Sequence, residues 1–126
     1  MKVQPDQLEG TNVIARQEPR RVWVNATEWT ASVLVPWRGE PVAWGAARVE
    51  DLTAAHFEQL LALRPELVIF GSGLRLRFVS PALQRTLIER RIGVETMDTA
   101  AACRTFNVLA AEGRSVAAAL LIEASD

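Results

Sequence analysis

The chain reads as one α/β domain with a β-rich N-terminal portion. Its 126 residues fit a single domain. Apolar positions alternate before residue 50, and helix-type and strand-type segments alternate after it. Residues 1–10 read as a loose polar arm, 11–49 as mainly β, and 50–126 as alternating helix and strand.

In the N-terminal portion, Val22-Trp23-Val24-Asn25 is a short strand and Ala26-Thr27-Glu28 a turn. Trp29, Ala31, Val33, Val35 and Trp37 then recur at every second position, the period of a strand. The two runs are expected to form a hairpin. Pro36 and Pro41 mark a strand end or sheet edge, because proline donates no ladder hydrogen bond. Arg38-Gly39-Glu40-Pro41 is a turn and Val42-Ala43-Trp44 a further extended piece.

Past residue 50, Thr53 is an N-cap, with Leu52 and Phe57 placed as a hydrophobic staple. Phe57, Leu60 and Leu61 continue one apolar face, and Arg64-Pro65 stops the helix. Leu67-Val68-Ile69-Phe70 is uniformly apolar, as a strand covered on both faces is. Ser80 caps a helix over 81–91 that opens on Pro81. Gly93 is expected as its left-handed C′ residue, followed by apolar Val94. Val94–Met97 is the next strand. Asp98 or Thr99 caps the third helix and Gly113 ends it, leaving Val116–Ile122 as the last strand. The strands at 67–70 and 94–97 flank a helix, so they should run parallel.

Composition narrows the function classes. Apolar residues make up 49% and charged residues 23%, ordinary for a soluble globule. A net charge of −1 gives no global pull toward nucleic acid or anionic lipid. One cysteine excludes an intramolecular disulfide and fits a reducing compartment. Met1–Gln7 is polar and has no secretory apolar core, and the longest apolar run is too short to span a bilayer. The expectation is a cytoplasmic protein with no membrane insertion.

Candidate chemistry clusters after the buried strand. Phe70-Gly71-Ser72-Gly73-Leu74 occupies the place where α/β proteins often bind ligands. It lacks the third glycine of a dinucleotide fingerprint, the Gly-Lys-Ser/Thr of a P-loop and the outer glycines of a nucleophile elbow. The plain alternative is a tight turn that needs glycine freedom. Arg75, Arg77, Arg85, Arg90 and Arg91 face only Glu89 over 75–91, a local charge of +4 that Arg104 extends if its helix packs nearby. Such a cluster receives a carboxylate, a phosphate or an acidic partner, or is simply a solvated face. Cys103, Phe106 and Ala110 share one helical face, which reads as a buried structural thiol. His56 falls at the third helical position, as a cap or solvated. Glu95 and Asp98 are explained by strand alternation and capping. No metal-ligand spacing occurs, no cofactor is expected, and no catalytic residue stands out.

Phe70-Gly71-Ser72-Gly73, Gly93-Val94-Glu95-Thr96-Met97-Asp98-Thr99, Ala102-Cys103-Arg104-Thr105-Phe106-Asn107-Val108-Leu109 and Glu112-Gly113-Arg114 together carry a resemblance. The chain resembles, over most of residues 11–123, a small domain-of-unknown-function family found in archaea and bacteria. That family includes a mitochondrial assembly factor for respiratory complex I and an animal protein associated with adipogenesis. The resemblance implies a three-layer α/β domain on a central mixed sheet with an attached β-hairpin, in agreement with the N-terminal hairpin and about three helices read from the residues. It implies no settled catalytic site. Ser72 stands where the family often has threonine, and Phe106 where many members have tyrosine, which removes a hydroxyl from that position.

Two functional readings follow. One is a non-enzymatic accessory or assembly-type protein, a monomer or small homo-oligomer, docking on a protein partner through the arginine-rich surface or exposed tryptophans of the hairpin. In the other, a small anionic ligand binds, or a reaction occurs, between the 71–73 turn and the helix start at 98–99. Gly71, Ser72, Gly73, Arg75, Asp98, Thr99, Arg104 and Asn107 would line that site.

Overall fold

The computed structural model describes residues 10–123. Apart from Gly10, the arm expected over 1–10 lies outside the described residues. The chain begins with β1 (Ile14–Glu18), β2 (Arg21–Val24) and β3 (Thr27–Trp29), then β4 (Val33–Val35) and β5 (Val42–Ala43). A 3-10 turn (Val49–Asp51) leads to α1 (Ala54–Glu58), which continues as a 3-10 turn through Leu63, and then to β6 (Leu67–Gly71). A 3-10 turn (Pro81–Gln84) opens α2 (Arg85–Glu89), followed by β7 (Gly93–Met97), α3 (Thr99–Ala111) and β8 (Val116–Leu120).

β1, β2 and β3 form a three-stranded antiparallel sheet in chain order. The other five strands form a mixed sheet in the order β5-β4-β8-β6-β7. In it β6 runs parallel to both β8 and β7, while β4 is antiparallel to β8 and β5. This is the expected α/β domain on a central mixed sheet, and the 67–70 and 94–97 strands are parallel neighbours as the intervening helix requires.

Strand alternation divides the interior into two cores. Val33, Val35, Leu67, Ile69, Val116, Ala118 and Leu120 face α3 and the small sheet, where Cys103, Phe106, Val22 and Val24 meet them. Leu34, Val68, Phe70, Ala117 and Ala119 face the opposite layer with Trp44, Phe57, Leu60 and Leu87. Trp44 packs edge-on against Phe57 and Phe70 at 5.7 and 6.0 Å, contacts that contribute about 0.5–1.5 kcal/mol each beyond simple burial. The small residues of β8 leave room for these rings below the sheet and for α3 above it.

Local signals are obeyed in some places and displaced in others. Leu52 and Phe57 are both buried in the lower core, as a staple requires. His56 caps its own helix, accepting the Thr53 N–H at Nδ1 at 3.0 Å. Trp44 donates its indole N–H to the His56 carbonyl at 2.9 Å. The expected Gly93 C′ residue is a correction. Arg91 takes the left-handed conformation (φ 60°), with Ile92 N–H donating to Leu87 O at 2.9 Å and Arg91 N–H to Ile88 O at 2.9 Å. That is a Schellman stop two residues early. Gly93 instead opens β7, where an added Cβ would lie 3.1 Å from Leu67 Cδ1.

The expected strand over 29–37 is divided, and the turn over 26–28 moves to Asn25-Ala26. Asn25 adopts φ 54°, a conformation asparagine tolerates, and Thr27–Trp29 already pairs with β2. Thr30-Ala31-Ser32 then carries the chain from one sheet to the other. Buried Ser32 fixes that crossing: its hydroxyl accepts the Ile122 N–H at 2.9 Å and its carbonyl the Trp44 N–H at 3.0 Å. β1 gives little signal in the sequence because only Ile14 of its five residues is buried.

Candidate functional site

β6 ends beneath the start of α3, and the Gly71-Ser72-Gly73 turn fits directly against it. A Cβ at Gly71 would lie 3.0 Å from both Thr99 Cα and Oγ1 and 3.1 Å from Ala102 Cβ, so only glycine fits without displacement. Gly73 has φ 107°. Thr99 is the joint. Its hydroxyl donates to Leu121 O at 2.8 Å and accepts Gly73 N–H at 2.9 Å, while its own N–H donates to Gly73 O at 2.9 Å. Ser72 is fully buried. Its hydroxyl donates to Arg75 O at 2.7 Å and accepts Arg77 N–H at 2.9 Å, folding the following segment back on the turn. Asp98 is the N-cap of α3, its carboxylate accepting Ala101 N–H at 2.8 Å.

Gly71, Ser72, Gly73, Asp98 and Thr99 therefore meet at one place, with Arg75 tied in through its carbonyl. A shallow open depression of about 250 Å³ lies beside them, lined by Gln17, Pro19, Gly73, Leu74, Asp98 and Thr99 among others. Ser72 lies beneath that lining. Arg104 is exposed on α3, and Asn107 is used elsewhere. The Asn107 amide accepts Ile14 N–H and donates to Ile14 O, both at 2.9 Å, and so clamps β1 onto α3. The Asp98 carboxylate occupies the helix start that an anion would seek, and Glu123 stands close to Gly73. Both charges weigh against an anion at this position.

Other reactive side chains are similarly engaged. Cys103 is buried, and burial pushes its thiol up to about 12, so it stays protonated. Among the described residues no group of three or more His, Cys, Asp or Glu is arranged to hold a metal ion. The tryptophans are not exposed anchors. Trp44 is buried, and Trp23, Trp29 and Trp37 are half-buried. Trp37 donates to Ala110 O at 3.1 Å, and the Arg16 and Arg38 guanidinium groups cover the Trp23 and Trp37 rings at 4.8 and 4.4 Å.

Besides Val13, Val42, Ile88 and Val108 elsewhere, three outward apolar side chains lie in a segment whose arginines alone stand out in the sequence. Leu74, Leu76 and Phe78 are 46%, 53% and 72% exposed. Arg77 between them pairs at the surface with Glu50 at 2.6 Å, and Val79 packs on the lower core. The period-two pattern Leu-Arg-Leu-Arg-Phe is the available signal. A strand reading of it would bury the leucines, whereas here the segment pairs with no strand and the apolar side chains stand exposed beside Arg75.

Residues 14–121 match the family described as "Protein of unknown function (DUF498/DUF598)". The chain belongs to the DUF498/DUF598 family. A Bordetella parapertussis protein of known crystal structure is 33% identical and superposes with a TM-score of 0.86, over 93% of this chain and 100% of that one. A Bordetella pertussis protein, described as a Mth938-like domain and solved by NMR, is 28% identical with a TM-score of 0.84, covering 100% of this chain and 95% of the other. Among curated relatives, the bovine NADH dehydrogenase (ubiquinone) 1 alpha subcomplex assembly factor 3 is 39% identical over 82 residues, 64% of this chain. The chain spans under half of that relative, 45% of its length. This DUF498/DUF598 chain thus shares its fold with the Bordetella proteins and a substantial stretch of sequence with an assembly factor. No helix among its described residues is long and apolar enough to cross a membrane.

Proposed function

We propose that the protein is a non-enzymatic accessory factor of the assembly type, a monomer or small homo-oligomer that works by docking on a protein partner. The carrying observation is what lies at the C-terminal end of the central strand, where α/β proteins present their sites. There the hydroxyls of Ser72 and Thr99 hold backbone, as Asn107 does further along α3, while the side chains left outward are Leu74, Arg75, Leu76 and Phe78. Assembly-factor relatives support the same reading. A single buried, unpaired cysteine fits a cytoplasmic setting.

The test is affinity capture from the cell of origin with the wild type and with Arg75→Glu/Arg85→Glu, each product identified by mass spectrometry. The expected result is one stoichiometric protein recovered by the wild type and lost by the variant. Thermal shift against anionic metabolites is the counter-test. A saturable rise in melting temperature that Asp98→Asn strengthens, with no protein recovered, overturns the docking reading.

A further inference from the structure

We propose that Leu74, Leu76 and Phe78 form a preorganised docking strip for a protein segment that alternates apolar and acidic side chains. The inference rests on the accessory reading above and names the chemistry of the partner.

Three observations carry it. First, the segment leaves outward apolar side chains that folding alone would bury: Leu74, Leu76 and Phe78 are exposed beside the exposed Arg75, while Arg77 pairs with Glu50 at the surface and Val79 packs on the core. Second, the strip is held before any partner arrives. The buried Ser72 hydroxyl ties down Arg75 O and Arg77 N–H, and the Arg77–Glu50 pair fixes the middle. A partner therefore loses little to ordering this surface. Third, charge selects the occupant. The exposed Arg75 and Arg85 form no ion pair among the described residues, whereas the neighbouring carboxylates are engaged, Glu50 by Arg77 and Glu58 by the Thr86 hydroxyl. Carboxylates flanking the partner's apolar side chains would meet those guanidinium groups.

The backbone adds a mode of binding. Leu76 and Phe78 make no backbone hydrogen bond to another strand among the described residues, so an extended partner can lie alongside and pair with them. An anionic membrane is the less suited occupant. Three side chains bury little area, and the whole chain carries a net charge of −1.

Photo-crosslinking in the cell of origin tests this. p-Benzoylphenylalanine replaces Phe78 in one variant and, as a control on α3, Val108 in another; both positions are exposed. Unchanged thermal midpoints verify the fold. The expected result is a protein adduct at position 78, at an apolar segment carrying Asp or Glu, that falls at least about tenfold with Leu76→Ser. An adduct at position 108 and none at 78 overturns the strip while leaving the accessory reading intact. No adduct at either position overturns both. A crosslink at 78 to a basic segment, to a second copy of this chain or to lipid also overturns the proposal. So does co-sedimentation with phosphatidylserine vesicles that Phe78→Ser abolishes.

Discussion

Gly71–Gly73 and Leu74–Phe78 leave the same strand one after the other, yet they treat their side chains in opposite ways. In the first stretch the polar groups turn inward and are satisfied. Ser72 holds the segment beyond it, and Gly73 exchanges hydrogen bonds with Thr99 through both its N–H and its C=O. In the second stretch the apolar groups turn outward, with Phe78 72% exposed. The residue types point the other way, since serine and glycine turns are where ligands are sought and Leu-Arg alternation is where a strand is sought. Inventory misleads here because burial and hydrogen-bond satisfaction decide what a group is free to do. A buried serine with donor and acceptor engaged is a fastener, and an exposed phenylalanine on a fastened segment is a contact.

The contrast between the two stretches is most exposed to failure at Thr99. Thr99→Val keeps the shape and removes the hydroxyl, leaving Gly73 N–H and Leu121 O short of a partner in a buried setting. Orphaning two such groups costs about 2–6 kcal/mol. Urea denaturation should show that loss with an unchanged m-value. A cost below about 0.5 kcal/mol would mean that water replaces the hydroxyl and that the turn is wetter, and more site-like, than its geometry indicates. Gly71→Ala follows. Its Cβ meets the Thr99 backbone at 3.0 Å, and overpacking of this kind costs about 1–3 kcal/mol. The smaller entropy of an alanine in the unfolded chain offsets about 0.4–1 kcal/mol of that. The same denaturation series measures it, and a neutral result would show that α3 yields to the added methyl.

Much of the fold is legible in the sequence, and the losses have physical causes. Leu67–Phe70 and the 116–122 run are legible because a strand covered on both faces is apolar at every position, although β8 itself stops at Leu120 and only the burial continues to Ile122. Cys103, Phe106 and Ala110 read correctly because one face of a thirteen-residue helix is buried. β1 is lost because a polar strand gains its place from pairing and from Asn107, a contact 93 residues away that no local pattern carries. The break at 30–32 is lost because alternation continues through it while the sheet changes. Arg91 displaces Gly93 at the helix stop because Gly93 already belongs to β7, where it pairs with Leu67. For the candidate site, Gly71, Ser72, Gly73, Asp98 and Thr99 are brought together as their spacing suggests. Arg104 and Asn107 are not, since helical periodicity gives a side chain's angle but not which layer it meets. The outward strip is illegible because exposure, unlike residue type, has no local code.

Phe78→Ser separates the two stretches from the other side. An exposed side chain with no buried contact should change stability by no more than about 0.5 kcal/mol in either direction. The thermal midpoint should hold while capture of the partner falls. A large stability loss would place Phe78 in the fold and leave the strip without its strongest anchor.

The smallest effect belongs to the pair that keeps the strip in place. The Arg77 guanidinium, through its hydrogen bond, holds the Glu50 carboxyl below its ordinary value of 4.5. A carboxyl lowered in the folded state favours folding above its unfolded value, and that contribution disappears as pH falls through the lowered folded value. Both groups lie at the surface, so global stability should barely respond. The local effect is the informative one. Glu50→Gln should mimic low pH, with a lower protection factor at pH 7 for the Arg77 amide that Ser72 Oγ accepts, and little further loss of protection on acidification. The wild type should approach the variant only below pH 4.5. Identical exchange in both proteins at pH 7 would mean that Ser72 alone, from beneath the turn, holds the segment outward.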